Sequence, residues 1–104
     1  MANEIRAPYK EKYVKDLKAE DIKIAISGTI ISKGNGRIAI DDGTGNIIIS
    51  IDTDLDVNSF IKIYGNLLPY DEGFEIQGHF IKNLNDVDKS LYRKAMEIII
   101  INSK

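Results

Sequence analysis

The sequence predicts a mainly β fold, a five-stranded barrel followed by a C-terminal α-helix. Three observations carry that prediction. Between residues 21 and 81, five short stretches alternate apolar and polar residues. Period two places every second side chain on one face of a strand. Three of those stretches hold an internal glycine, Gly28, Gly65 and Gly78, and a glycine inside a strand marks a bend, a bulge or a barrel corner. After Asn85 the apolar spacing changes from two to that of a helix.

The elements follow in order. Residues 1–20 are charged and mixed in sign. They are expected as an N-terminal extension with a loose start, then a short extended or turn segment that packs Leu17 onto the body. The first strand begins near Asp21 and runs to Ile31, with Ile22, Ile24 and Ile26 alternating against Lys23, Ala25 and Ser27. Ser32 to Gly36 is a turn cluster. The second strand, Arg37 to Asp42, turns Ile38 and Ile40 inward. Asp42-Gly43-Thr44-Gly45 is a tight hairpin signal. The third strand, Asn46 to Asp52, has Ile47, Ile49 and Ile51 as its inner face. An acidic connection with room for a helical turn spans Thr53 to Ser59.

The fourth strand, Phe60 to Leu67, places Ile61, Ile63, Gly65 and Leu67 on one face. Pro69 to Gly73 is a loop. The fifth strand, Phe74 to Ile81, places Phe74, Ile76, Gly78 and Phe80 on one face and His79 on the other. A helix over about 85–101 is capped by Asn85 or Asp86, with Asp88 in its first turn. Val87, Leu91, Ala95 and Ile98 form the stripe expected to pack on the barrel. A closed barrel leaves no strand edges, and the five-stranded closure of this size is the OB-fold. Residues 21–104 are therefore expected as one OB-fold domain that includes the helix.

Composition narrows the function. The 104 residues suit one compact domain with a modest core. A net charge of −2 is not that of a strongly basic nucleic-acid binder, although 14 basic side chains leave room for local patches. The chain has no cysteine and one histidine, which excludes disulfides, thiolate metal sites and multi-histidine metal sites. No apolar run resembles a signal peptide or a membrane span. A soluble, cytoplasmic protein with no membrane contact is expected.

Enzyme signatures are weak. The glycine pairs Gly34-x-Gly36 and Gly43-x-Gly45 sit in hairpins and lack the Lys-Ser or Lys-Thr of a phosphate loop. Asp52, Asp54 and Asp56 start like a calcium loop, but Val57 stands where glycine is needed and Ile63 where the bidentate glutamate belongs. Asp41 and Asp42 are adjacent in a strand and point to opposite faces. No catalytic residue, metal or cofactor is expected.

The run Ile24-Ala25-Ile26-Ser27-Gly28-Thr29-Ile30, the hairpin Asp41-Asp42-Gly43-Thr44-Gly45 after Ile38-Ala39-Ile40, and Ile61-Lys62-Ile63-Tyr64-Gly65-Asn66-Leu67 resemble OB domains of the replication protein A middle-subunit type. Members commonly carry an apolar-x-apolar-x-Gly first strand, an Asp-Gly-Thr-Gly hairpin, the same pattern in strand four and a helix after strand five. The resemblance covers roughly residues 20–101. It extends to telomere-capping subunits and to OB subunits of helicase–topoisomerase complexes. It implies either a module that binds single-stranded nucleic acid or a structural subunit of a larger assembly.

OB-folds bind strands across the second and third strands and the adjoining loops. The candidate nucleic-acid set is Lys33 and Arg37 from the first loop, Lys62 and Tyr64 from strand four, Tyr70 and Phe74 near the 4–5 loop, and Gln77 and His79 from strand five. The alternative for this set is ordinary barrel surface with Phe74 in the core. The outward positions of strand three, Asn46, Ile48 and Ser50, hold no aromatic residue on which a base could stack, so binding is expected to be weak and salt-sensitive.

The second stripe of the helix, Tyr92, Met96, Ile99 and Ile100, is the candidate partner surface. A helix apolar nearly all round is buried on more than one side. The alternative there is that the Ile98–Ile101 run ends as a short strand. The leading expectation is a non-catalytic accessory subunit in DNA replication or repair. It would dock a partner, in a hetero-oligomer or a homodimer, through the helix and contact single-stranded DNA weakly. The alternatives are a stand-alone single-strand binder of DNA or RNA, and a subunit that binds a DNA polymerase or a helicase–topoisomerase complex without touching nucleic acid.

Overall fold

The computed structural model describes residues 8–102; the first seven residues of the expected N-terminal extension lie outside them. Strand β1 is Lys10–Glu11, followed by a 3₁₀ turn at Val14–Asp16. Then come β2 (Lys23–Gly34), β3 (Arg37–Asp41), β4 (Asn46–Ser50), β5 (Phe60–Tyr70), β6 (Gly73–Asn83) and α1 (Lys89–Asn102). The sheet order is β1-β2-β3-β4-β6-β5, and β5 pairs back onto β2. The closed barrel therefore consists of β2 to β6, antiparallel except for the parallel β4–β6 pair, with β1 added in parallel beside β2. This is the five-stranded OB barrel.

The barrel interior is almost wholly isoleucine. Ile24, Ile26, Ile30, Ile40, Ile49, Ile61, Ile63 and Ile76 are fully buried. β-branched side chains suit a pleated surface and lose little rotamer freedom there. Long β2 serves two partners, pairing with β5 over Lys23–Thr29 and with β3 over Thr29–Gly34. Gly28 lies at that corner, where a Cβ would sit 2.8 Å from the Asp41 carbonyl oxygen. A bulge between Ile30 and Ser32 leaves Ile31 exposed.

The turns are tighter than the sequence suggests. β2 continues to Gly34, and Asn35-Gly36 turns it with φ of 56° and 76°, the positive pair that a two-residue type I′ hairpin needs. β5 and β6 extend into the predicted Pro69–Gly73 loop and leave only Asp71 and Glu72 to turn. The Asp42 carboxylate organises the next hairpin. It accepts from the Thr44 and Gly45 amides, the Thr44 hydroxyl and, across the fold, the Val14 amide. The 53–59 connection holds no helical turn. Lys33 Nζ donates to the carbonyls of Thr53 and Leu55 and pins it.

Two sequence expectations are corrected here. Phe80 does not face the core with Ile76. β6 carries an extra residue: Gly65 pairs with Gly78 and Tyr64 with Phe80, so His79 has no partner of its own. A one-residue bulge reverses the alternation beyond it, turning Ile81 inward and Phe80 out, with half of Phe80 exposed. The helix also begins later than residue 85. Asp88 caps it by accepting the Leu91 amide at 3.1 Å. Asn85 instead accepts the Phe60 amide at 2.8 Å and fastens the start of β5.

Candidate functional site

Helix α1 lies on the outside of the barrel, over the outward positions of β5 and β2. Tyr92 places its ring edge-on to Phe60, with centroids 5.6 Å apart, and its hydroxyl 2.9 Å from Ser27 Oγ. Met96 Sδ lies 3.7 Å from Lys62 Nζ, and Ile100 is buried. These residues recur every four positions and form the packing face. The predicted packing face is the outer one: Val87, Leu91 and Ile98 are all exposed. The two stripes have thus exchanged sides. Tyr92, Met96 and Ile100 of the expected partner surface hold the barrel, and Ile99 alone of that set stays outside. The reason is chemical. Only the Tyr92 stripe offers a hydroxyl for Ser27, a ring for Phe60 and a soft thioether over the Lys62 stem.

The same packing removes Lys62 from the phosphate-binding set. Its side chain points outward, but the helix and β1 cover it, leaving 7% exposed. Its ammonium pairs with the Glu11 carboxylate at 2.5 Å and lies over the Tyr64 and Tyr92 rings. Burial alone would lower its pKa. The hydrogen bond and charge of Glu11, with a further contribution from Tyr92, outweigh burial and raise it above the usual lysine range. A cleft of about 510 Å³ remains between α1, the N-terminal segment and the barrel. Both signs of charge line it, including Lys12, Arg93, Asp42 and Glu97. Tyr13 at its wall titrates above its ordinary range, through burial first and then through Glu97, Asp42 and Asp16.

The other sequence-predicted residues fall into two groups. Arg37 is exposed at the start of β3 and makes a long 4.0 Å pair with Glu75 on β6. Tyr70 is exposed near the tip of the β5–β6 hairpin, whereas Phe74 is half-buried against the core. Lys33 is exposed, but its ammonium is occupied by the two carbonyls described above. Around the β3–β4 face, Arg37 reaches Glu75, which lies opposite Ile48, and neither β3 nor β4 carries an aromatic ring.

Tyr64 and His79 belong to a second, denser group. Tyr64 stacks on Phe80 with centroids 4.7 Å apart and an interplanar angle of 25°. Tyr9, just before β1, stands edge-on to Tyr64, Phe80 and His79 at 5.4, 5.8 and 5.9 Å. The Tyr9 hydroxyl lies 2.7 Å from His79 Nδ1. Lys23 Nζ lies 5.4 Å from the centre of the Tyr9 ring. Gln77 sits between the two groups, opposite Ser50 on β4 and Asn66 on β5. Sequence reasoning missed Tyr9, Lys23 and Phe80. The readable signal was Gly78, next to the bulged His79 beyond which Phe80 turns outward.

Among the described residues, no three His, Asp or Glu side chains gather into a metal-binding group, and no helix is long and apolar enough to cross a membrane. No protein-family model and no curated protein matches the chain. Solved structures do. The telomere capping protein Ten1 from Saccharomyces pombe superposes with a TM-score of 0.71 at 17% identity, over 86% of this chain and 95% of that one. A chain of the S. pombe Stn1–Ten1 complex gives a TM-score of 0.71 at 17% identity, over 88% and 90%. A chain of U. maydis Replication protein A bound to single-stranded DNA gives 0.68 at 21% identity, over 90% and 91%. At these identities the likeness is one of architecture alone, and it agrees with the strand order in making the chain an OB-fold barrel with a C-terminal helix.

Proposed function

We propose that this chain is a non-catalytic OB-fold subunit of an assembly that handles single-stranded DNA in replication, repair or telomere-like maintenance, and that α1 docks another subunit through its outer stripe. One observation carries the reading. Leu91 and Ile98 are 66% and 61% exposed, and Ile99 and Ile101 beside them are also open. A row of large apolar side chains along one helix is characteristic of an interaction surface. The barrel already occupies the opposite side of α1, so a partner completes the burial of a helix apolar on two sides. The Stn1–Ten1 chain comes from a complex, and the Replication protein A chain from a structure bound to single-stranded DNA; both fit a subunit role for this fold.

The test is the double substitution Leu91→Glu with Ile98→Glu. Two charges in an apolar interface prevent its closure. The assembled mass in light scattering is expected to fall to that of the single chain, with far-ultraviolet circular dichroism unchanged and the melting temperature only slightly lowered. Met96→Glu is expected to act differently, by loosening the helix from the barrel. If the double variant assembles as the unmodified chain does, the docking stripe is wrong.

A further inference from the structure

We propose that the outer face of β5 and β6 is a single-stranded nucleic-acid site, in which a base stacks on Phe80 beside Tyr64 and the phosphates pass between Lys23 and Lys82. This inference rests on the single-strand part of the functional reading and is independent of the helix stripe. It also moves the contact surface away from the β3–β4 face.

The geometry argues for it in three steps. The bulge at His79 spends a strand residue to turn an aromatic side chain out of the barrel. Packing of the N-terminal segment accounts for the half-buried Tyr9 and Tyr64, but not for a Phe80 that keeps half its surface in water. A ring already braced on one side by Tyr64 is a preorganised platform, and base–aromatic stacking tolerates any sequence.

The charges are placed to follow a backbone. Lys23 lies opposite Asn66 of β5, and Lys82 opposite Lys62. The Tyr64–Phe80 pair falls midway between them. Four residues along a strand and two strands across put the lysine positions roughly 16 Å apart, a span of roughly three to five nucleotides at 3.4 Å or more each.

The face also lacks repulsion. The outward positions of β5 from Lys62 to Leu68, and of β6 from Gln77 to Lys82, hold no carboxylate. Of the acids around it, Glu11 pairs with Lys62, Glu75 with Arg37 and Asp21 with Lys12, while Glu20 lines a cleft beside Lys23. The β3–β4 face offers no such cluster: its outward strand positions carry no aromatic ring, and Arg37 lies beside Glu75.

The experiment is fluorescence anisotropy of the full chain with labelled oligothymidine and mixed-sequence single strands, with duplex as control, across a salt series. Phe80→Ala is expected to weaken binding about 5- to 100-fold, the loss of one stacked base, and Phe80→Trp to retain it. Lys23→Gln with Lys82→Gln is expected to reduce the slope of log affinity against log salt by about 1.4, or ~0.7 for each lost phosphate contact. Arg37→Ala with Tyr70→Ala is expected to change affinity less than twofold. Lys82 is exposed and Lys23 partly so, and neither belongs to the core, so the lysine pair decides the matter even if Phe80→Ala is poorly folded. Absence of binding by the unmodified chain at micromolar protein and low salt would overturn the proposal. So would a loss that follows Arg37 and Tyr70 instead of Phe80 and the lysines. Either result leaves the docking stripe standing, because the Leu91/Ile98 variant is read by assembly.

Discussion

Replacing Ile100 by alanine, and Ile98 by alanine in parallel, measures which side of α1 holds the barrel. Each substitution removes three carbons, worth about 0.8 kcal/mol per methylene when buried. Ile100 is 7% exposed, so nearly all of that, about 2.4 kcal/mol, is lost. Alanine's better helix propensity returns about 0.4 kcal/mol, leaving a net destabilisation of about 2 kcal/mol. Ile98 has less than half its side chain out of water, and the same reasoning leaves about 0.5 kcal/mol. For a domain of this size each kcal/mol moves the melting temperature by about 4–8 °C. Ile100→Ala is therefore expected to melt about 8–16 °C lower and Ile98→Ala about 2–4 °C lower, read by thermal and urea unfolding monitored by circular dichroism. Equal shifts, or a larger one at Ile98, would refute the assignment of faces.

Three further outcomes follow from the contacts. Lys62 and Tyr13 both keep their protons more tightly when folded than their ordinary values of 10.5 and 10.0 allow. As pH rises past 10 the unfolded chain therefore releases protons first, and stability falls on the alkaline side; a melting-temperature series from pH 8 to 11 reads it, with a shallower fall in Tyr13→Phe. Gly65→Ala would drive a Cβ into the Gln77 carbonyl and the Ile76 side chain, and is expected to cost about 2–3 kcal/mol in urea unfolding. Asp42→Ala strands four donors that now share one carboxylate; it is expected to lower stability by about 2–3 kcal/mol, with Asp42→Asn losing less.

The barrel was legible because its rules are local. Period two at Ile24–Ile26, Ile38–Ile40, Ile47–Ile49 and Ile61–Ile63 determines which faces turn inward, and glycines mark the corners where backbones approach. Three features were not legible. Alternation along the fifth strand assumes an unbroken register, and a single bulged residue at His79 reverses it; Gly78 announces a distortion but not on which side of it the extra residue falls. On α1 two stripes of similar hydrophobicity compete, and the choice depends on what the barrel presents, Phe60 and the Ser27 hydroxyl. Those groups are distant in sequence. The fate of Lys62 follows from the same cause, since an outward strand position is accessible only where no helix lies over it. Tyr9 joins the aromatic group because Lys10 and Glu11 pair with Ile24 and Ala25, a two-residue parallel strand too short to leave a periodic signal.

The most direct test of the account is photo-crosslinking from α1 in the protein's own cells. A photoreactive amino acid at position 98, with position 96 as the inward control, samples the two faces of the same helix. The account predicts one discrete adduct with another polypeptide from position 98 and adducts confined to this chain from position 96. Adducts to another polypeptide from position 96, or none from position 98, would contradict it.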